Sequence, residues 1–124
     1  MLTKLTISNY ALIDRLEVDF KKGLTIITGE TGAGKSIIMG ALSLILGERA
    51  DSKSVRDKSK KSVVEATFDI SKFDLQHFFE SNDLEYFAEE CILRKEFSDS
   101  GRSRAFVNDT PVSLSLMREL TNNL

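Results

Sequence analysis

The residues with the clearest chemistry lie between positions 29 and 36, which match the phosphate-loop pattern G-x-x-x-x-G-K-[ST] at every required position. Glycine lacks a Cβ atom, so the backbone can curl here and turn successive N–H groups toward a polyphosphate. Lys35 is placed to reach the β- and γ-phosphates, and the hydroxyl of Ser36 to ligate Mg²⁺. The pattern predicts nucleoside triphosphate binding, with a ligand-free glycine-rich turn as the alternative. The predicted binding residues are Gly29, Glu30, Thr31, Gly32, Ala33, Gly34, Lys35, Ser36 and Ile37.

The segments on either side of this loop have the order that phosphate binding requires. Residues 24–28 are apolar and rich in β-branched side chains, which is typical of a strand at the centre of a sheet. After the loop, apolar side chains recur every four positions from Ile37 to Ile45 and predict a helix that begins near Lys35. Gly47 stands where a left-handed cap would end this helix. Strand, loop and helix follow one another, so the positive end of the helix would favour the phosphates.

The rest of the chain predicts an antiparallel layer of strands and two further helices. Apolar and polar side chains alternate, or an apolar run borders a turn, in residues 5–7, 16–20, 64–70, 91–97 and 103–108. Gly101 would supply the positive φ angle of a hairpin turn, and residues 108–111 the next turn. A short helix is predicted at residues 74–80, and Ser113 would cap a last amphipathic helix. The predicted fold class is an α/β lobe with a mixed sheet.

Length and composition limit the other possibilities. The chain has 124 residues and a mass of 13.9 kDa, with 41% hydrophobic and 29% charged residues, which fits one small globular domain. A formal net charge of −2 gives no general reason to bind nucleic acid, so any basic surface must be local. One cysteine permits neither an intramolecular disulfide nor a multi-cysteine zinc site. With no secretory signal or membrane-length apolar run, we expect a cytoplasmic protein without a membrane partner.

Hydrolysis of a nucleotide needs more than the phosphate loop. It needs an acidic strand end that holds the metal and a group that orients the attacking water. No clear acidic strand end follows Ser36, and Asp14 precedes the loop at the start of an amphipathic strand, as a surface aspartate would. We therefore assign no catalytic residue within residues 1–124. Because the last predicted helix has no stop signal, we expect the chain to be a fragment.

Three segments together carry a resemblance to a known family. Residues 8–13, 23–36 and 47–51 closely resemble the N-terminus of the RecN family of bacterial DNA repair ATPases, and residues 101–108 resemble a later stretch. The resemblance covers essentially the whole chain. It implies the N-terminal part of an ATPase head of the ATP-binding-cassette and structural-maintenance-of-chromosomes (SMC) type, truncated before its remaining motifs.

That resemblance also implies cofactors and partners. In this family ATP and Mg²⁺ lie between two heads that pair face to face, and hydrolysis opens the pair while the molecule engages DNA. The chain would accordingly act with ATP, DNA and a second head as a homodimer, in the cytoplasm at the nucleoid, in double-strand-break repair and recombination. The 124 residues alone are expected to be a very weak ATPase.

Several charged residues outside the loop admit two readings. Arg56, within the basic segment 53–61, could contact phosphates across a head dimer or DNA, or belong to a solvated, mobile loop. Arg102 and Arg104 could face a nucleotide or a partner head, or protect an exposed edge strand from aggregation. Arg94 and Lys95 alternate on one strand and cannot form a single patch.

The remaining candidate residues favour structural roles. His77 has no metal-ligand partners at suitable spacing, and Cys91 is expected to be a buried structural thiol. Phe78, Phe79 and Phe87 are expected to pack rather than stack on bases. Two other functions stay open at this point: a small phosphate-loop kinase, and a non-enzymatic DNA-contact or assembly module.

Overall fold

The structure, a computed structural model, describes residues 1–11, 13–20, 32–48 and 55–124, with residues 32–35 described through their backbone. Buried and partly buried side chains alternate along the strands at residues 62–68 and 91–97, so the buried ones share one face of the sheet. The strands are β1 (Leu2–Tyr10), β2 (Ile13–Asp19), β3 (Ser62–Phe68), β4 (Cys91–Phe97), β5 (Ser103–Val107) and β6 (Thr110–Val112). The helices are α1 (Gly32–Ile45), α2 (Gln76–Ser81) and α3 (Leu114–Thr121).

The described strands form one antiparallel sheet in the order β2-β1-β3-β4-β5-β6. Leu5 lies opposite Val18 on one side and Ala66 on the other, so three apolar residues line up on the inner face. This register confirms the predicted antiparallel layer built from the N-terminal pair and the later hairpin. The predicted central strand at residues 24–28 lies outside the described residues.

The hydrophobic core lies between the inner face of this sheet and the helices. On α1 the buried residues are Ile38, Ala41, Leu44 and Ile45, which recur at the three- and four-residue spacing of one helix face. They pack on the sheet at β3 and β4, where Val64, Ala66 and Leu93 are fully buried. The predicted apolar stripe is confirmed at Ile38, Ala41 and Ile45, whereas Ile37 and Leu42 are only partly buried and Leu44 completes the buried face. Helix α1 begins at Gly32, earlier than the predicted start near Lys35.

Local capping and turn chemistry agree with the sequence. Ser113 caps α3, since its side-chain oxygen accepts a hydrogen bond from the Leu116 amide at 3.1 Å. Gly101 has φ of 86° in the turn between β4 and β5, as predicted. Asn108 and Asp109 have φ of 48° and 68°, the left-handed pair of a two-residue hairpin turn.

Two sequence predictions are corrected. The stretch after Asp109 does not remain a turn, because Thr110–Val112 pairs with β5 as the short edge strand β6; Pro111 is tolerated because an edge strand leaves some amides unpaired. The segment from residue 48 to 62 is more than a solvated loop where it is described. Val55 is buried and bridges to Tyr10, and the Asn9 side chain holds the backbone of Asp57.

Candidate functional site

The predicted phosphate loop runs into the first turn of α1. Gly29, Glu30 and Thr31 lie outside the described residues, so the predicted curl of their amides stays a prediction. Gly32, Ala33, Gly34 and Lys35 begin the helix, and Ser36 is exposed one turn in, with Ile37 partly buried behind it. The first four N–H groups of an α-helix have no acceptor within the helix. Free amide donors beside an exposed hydroxyl suit a polyphosphate with Mg²⁺, so the described residues fit this cofactor pair.

The middle of α1 lies against the Tyr10 side chain, at the end of β1. A Cβ atom built on Gly40 would come within 2.8 Å of the Tyr10 hydroxyl oxygen, closer than van der Waals contact allows. The Tyr10 ring also meets Phe97 edge-on, with 6.2 Å between ring centroids. Gly40 therefore leaves room for the Tyr10 hydroxyl beside α1.

The C-terminal end of α1 has a double hydrogen-bonded cap. The Glu48 amide donates to the Ser43 carbonyl at 3.0 Å, and the Gly47 amide donates to the Leu44 carbonyl at 3.2 Å. Gly47 has φ of 102°, so this pair of bonds is the Schellman arrangement that the glycine predicted. Helix α1 therefore ends at a fixed position.

Two cations from other elements bind the carbonyl groups that follow α1. The Lys95 Nζ of β4 donates to the Glu48 carbonyl at 3.0 Å, and the Arg118 Nε of α3 donates to the Gly47 carbonyl at 2.9 Å. Lys95 is only 2% exposed, and burial followed by the nearby Arg118 charge lowers the pKa of its ammonium group. Sequence reasoning missed this role, and the only signal was a lysine at an inward position of an alternating strand.

Arg56 lies at the described end of the basic segment. Its amide donates to the Asn9 carbonyl at 3.3 Å, and its Nη1 lies 3.9 Å from Asp14 Oδ1. Both side chains are well exposed, with 49% of Arg56 and 85% of Asp14 accessible, so this ion pair contributes little. Asp14 is the surface aspartate that the sequence predicted, and the Arg56 guanidinium is available to an external phosphate.

Arg102 and Arg104 are brought together beside the same segment. Both line a cleft of about 330 Å³ together with Lys61. Lys58 Nζ lies 3.8 Å from Asp99 Oδ1, which joins the basic segment to the β4–β5 turn. Among the described residues no carboxylate forms an ion pair with either arginine, whereas Lys61 lies 3.5 Å from Glu96. The cleft therefore presents two unpaired guanidinium groups to solvent.

The outer face of the sheet carries a separate ionic cluster around Arg94. Its Nη1 donates to Asp109 Oδ1 at 2.7 Å, its Nε lies 3.1 Å from Glu96 Oε2, and its guanidinium carbon lies 4.4 Å from the Phe106 ring centroid. Burial works against the charge, yet the Asp109 hydrogen bond and neighbouring carboxylates raise the pKa of Arg94 above its usual range. Arg94 and Lys95 thus occupy opposite faces, as predicted.

Cys91 and Phe79 have the structural roles expected of them, whereas Phe87 does not. Cys91 is fully buried, and burial raises the pKa of its thiol to about 12. Phe79 is buried against Tyr86, with ring centroids 5.4 Å apart, and Phe87 is half-exposed, contrary to the packing role expected of it. The His77 ring contacts only the Ser81 hydroxyl, at 3.3 Å.

The described residues contain neither a membrane-spanning helix nor a cluster of metal ligands. No helix in residues 1–11, 13–20, 32–48 and 55–124 has both the length and the apolar character needed to cross a bilayer. Within the same ranges no three His, Cys, Asp or Glu side chains converge as a metal site.

The chain is similar to known proteins over nearly its whole length. Residues 4–121 match the AAA domain family. The chain is 42% identical to the DNA repair protein RecN of Haemophilus influenzae, covering all of this chain and 23% of that protein. It is 45% identical to RecN of Vibrio cholerae, covering 97% of this chain and 22% of that protein. The resemblance found in the sequence is therefore confirmed, and the chain spans less than a quarter of the length of these relatives.

Solved structures confirm the fold class. A structure from work on the ATP-driven dimerization and DNA-stimulated activation of SMC ATPases matches 98% of this chain and 78% of its own, with a TM-score of 0.71 and 21% identity. The Smc head domain with a coiled coil and joint from Pyrococcus yayanosii matches with a TM-score of 0.72 and 20% identity, covering 98% of this chain and 25% of that one. The fold is that of an SMC-type head lobe.

Proposed function

The chain belongs to the AAA domain family, and from that premise we propose that it binds ATP and Mg²⁺ through residues 29–37. One observation carries the proposal: a complete phosphate-loop sequence leads into a helix, α1, whose first turn is Gly32–Ser36, within an SMC-type head fold. The relatives are repair proteins and the structural neighbours are ATPase heads, which favours this function over a small kinase.

Each residue of the loop has a distinct task in this proposal. The amides from Gly29 to Gly34 would hold the β- and γ-phosphates, and the first-turn amides of α1 would add the positive end of the helix dipole. The Lys35 ammonium neutralises the β- and γ-oxygens, and the Ser36 hydroxyl provides one oxygen ligand to Mg²⁺, whose other ligands are phosphate and water. Bound Mg²⁺ supplies charge neutralisation of the triphosphate.

Isothermal titration of the chain with ATP and Mg²⁺ tests this proposal. We expect saturable binding by the wild-type chain and its loss in Lys35→Ala, because the loop then lacks its only side-chain cation. Lys72→Ala, an exposed lysine before α2, is the matched control and should bind like wild type. Circular dichroism establishes that each variant is folded. Equal ATP affinity in folded Lys35→Ala contradicts the proposal.

We further propose that the longer protein hydrolyses ATP as a head-to-head homodimer in DNA double-strand-break repair and recombination, in the cytoplasm at the nucleoid. The printed names of the relatives support the repair role. The chain itself should turn ATP over very slowly, because the acidic strand end needed for hydrolysis is not found in it. A steady-state phosphate-release assay measures this turnover. A value typical of enzymes, about 1–1,000 per second, would contradict the expectation.

A second proposed activity is phosphate contact by the cleft that Arg102 and Arg104 line. Their unpaired guanidinium groups, with Arg56 exposed nearby in the basic segment, support contact with DNA or with the nucleotide of a partner head. An electrophoretic shift assay at low salt with and without ATP separates the two. DNA binding that is lost in Arg102→Ala and indifferent to ATP supports DNA contact, whereas ATP-dependent dimerisation lost in Arg56→Ala supports contact across a head pair.

A further inference from the structure

Two cations meet the backbone that caps the C-terminal end of α1. Lys95 comes from β4 and Arg118 from α3, and their donors meet the consecutive carbonyl groups of Glu48 and Gly47 at 3.0 and 2.9 Å. Gly47 and Glu48 follow the last residue of α1 and form its cap. Each cation donates a charge-assisted hydrogen bond to a carbonyl oxygen of that cap. The helix is thus tied to two different elements at one point, which we call the C-terminal clamp (Lys95 and Arg118).

Burying a lysine at position 95 costs free energy. Among the described residues Lys95 is the only buried lysine or arginine, and on the inner face of the sheet it lies beside Leu93 of its own strand and opposite Ala105 of β5. Removing an ammonium group from water costs several kcal/mol unless it is paired, and the lowered pKa of Lys95 has the same cause. Met or Leu would fill such a site without the free-energy cost of removing a charge from water. Stability alone therefore does not explain the lysine.

Arg118 contributes a packing contact to the clamp as well as a charge. A Cβ atom on Gly47 would overlap the Cγ of Arg118, so the Arg118 side chain packs directly on the glycine that ends α1. The cap thereby becomes a fixed point between β4 and α3, and α1 cannot slide along its axis without breaking both hydrogen bonds.

We propose that Lys95 and Arg118 are positioning residues that set, from the far end of α1, where the phosphate-binding amides at its N-terminus lie. The inference rests on the proposed function, because those amides are the ones expected to bind ATP. Helix α1 has 14 residues and is therefore roughly 21 Å long, and an α-helix transmits a shift of one end to the other as a nearly rigid rod. A loop that holds phosphate oxygens tolerates little displacement.

The first test needs no nucleotide. Nitrogen-15 NMR spectra of the 124-residue chain resolve the amides of Gly32 and Gly34, which start α1 about 20 Å from the clamp. Lys95→Met and Arg118→Met should shift both glycine signals, while the amide of Phe79 in α2 stays in place. Unmoved Gly32 and Gly34 signals in folded variants overturn the proposal.

The second test measures ATP·Mg²⁺ affinity and thermal stability in the same variants. We expect roughly tenfold weaker binding in Lys95→Met and Arg118→Met, with a melting temperature equal to or above that of wild type for Lys95→Met. Arg118→Lys retains a cation that can reach the Gly47 carbonyl and should recover most of the affinity. Wild-type affinity in both Met variants, or affinity that falls only in proportion to stability, overturns positioning and leaves a structural role.

Two further measurements keep the outcomes distinct. Lys72→Met removes an exposed lysine and should change neither the glycine signals nor the affinity. If Lys95→Met does not fold, the variants Arg118→Met and Arg118→Lys, made at an exposed residue, decide whether the clamp positions the start of α1. If the wild-type chain fails to bind ATP, the proposed function is wrong, and the glycine signals still decide whether the clamp positions the start of α1.

Discussion

The two faces of the sheet accommodate neighbouring cations in opposite ways. Arg94, on the outer face, has carboxylate partners and an aromatic ring and keeps part of its surface in solvent. Lys95, one residue later on the inner face, is buried and donates to the backbone carbonyl of Glu48. Outer-face charges are therefore matched by side chains that can rearrange, whereas the inner-face charge is matched by a helix end that cannot.

This difference should determine how strongly a substitution on each face changes the free energy of unfolding. Side chains on the inner face are close-packed, so a substitution that removes atoms there leaves a cavity or an unpaired polar atom. On the outer face, water replaces the contacts that a substitution removes. If the comparison is right, matched substitutions on the two faces of one strand will differ several-fold in their effect on the free energy of unfolding.

The largest contrast is expected between Leu93 and Ile92, adjacent residues of β4. Leu93 is fully buried, and Leu93→Ala should lower the free energy of unfolding by about 4 kcal/mol, through lost apolar burial and a cavity. Ile92 faces outward and is partly exposed, so Ile92→Ala should cost about a third as much. Urea unfolding followed by circular dichroism measures both. Equal losses would mean that the outer face is as tightly packed as the inner one.

Asn9 should produce the next largest effect. Its Nδ2 donates to the carbonyls of Asp57 and Lys60 at 2.9 and 3.1 Å, and its Oδ1 accepts from the Asp57 amide at 2.6 Å. Its φ of 54° also favours asparagine over alanine. Asn9→Ala should therefore cost about 2 kcal/mol.

The same substitution should release the basic segment. Hydrogen exchange at the amide of Asp57 should accelerate in Asn9→Ala, since that amide donates to the side-chain oxygen that the substitution removes. Ser8→Ala, at the neighbouring outward position, is the control and should leave this exchange unchanged. Protection that survives Asn9→Ala would show that other contacts hold the segment.

Cys91 should make stability depend on alkaline pH. Its pKa is raised from 9.0 to about 12 by burial, so the neutral thiol contributes stability below pH 9 that is lost as the pH rises through 12. At pH 10 the loss should be about 1 kcal/mol. The difference in unfolding free energy between wild type and Cys91→Ala, followed from pH 8 to 10, measures it. A difference that does not vary with pH contradicts the assignment.

The smallest effect is expected on the outer face, at Lys4. Its Nζ lies 3.0 Å from Glu17 Oε1, and the hydrogen bond from Lys4 holds the pKa of Glu17 below its usual value. Both side chains are about half exposed, so Lys4→Met should leave the unfolding midpoint unchanged within error. The pKa of Glu17, followed by NMR titration, should rise toward 4.5 in this variant. A pKa that stays low would assign the shift to Arg15 instead.

Much of the fold could be predicted because its signals are local. The sequence pattern predicted strands at residues 64–70 and 91–97, which the structure places at Ser62–Phe68 and Cys91–Phe97, and Gly101 predicted the hairpin between β4 and β5. Both helix caps, at Gly47 and Ser113, were confirmed. The edge strand β6 was missed because three residues that include a proline carry almost no alternation. The curl of the phosphate loop itself stays a prediction.

The sequence by itself determined which residues face inward, where α1 and α3 are capped, and that a phosphate loop leads into α1, because periodicity, caps and motifs depend on atoms a few residues apart. Only the tertiary structure decided that Lys95 meets a carbonyl 47 residues away and that Asn9 holds a segment 48 residues away. Those contacts depend on how the strands and helices pack, and no short-range pattern records which carbonyl an inward-facing lysine or asparagine will reach.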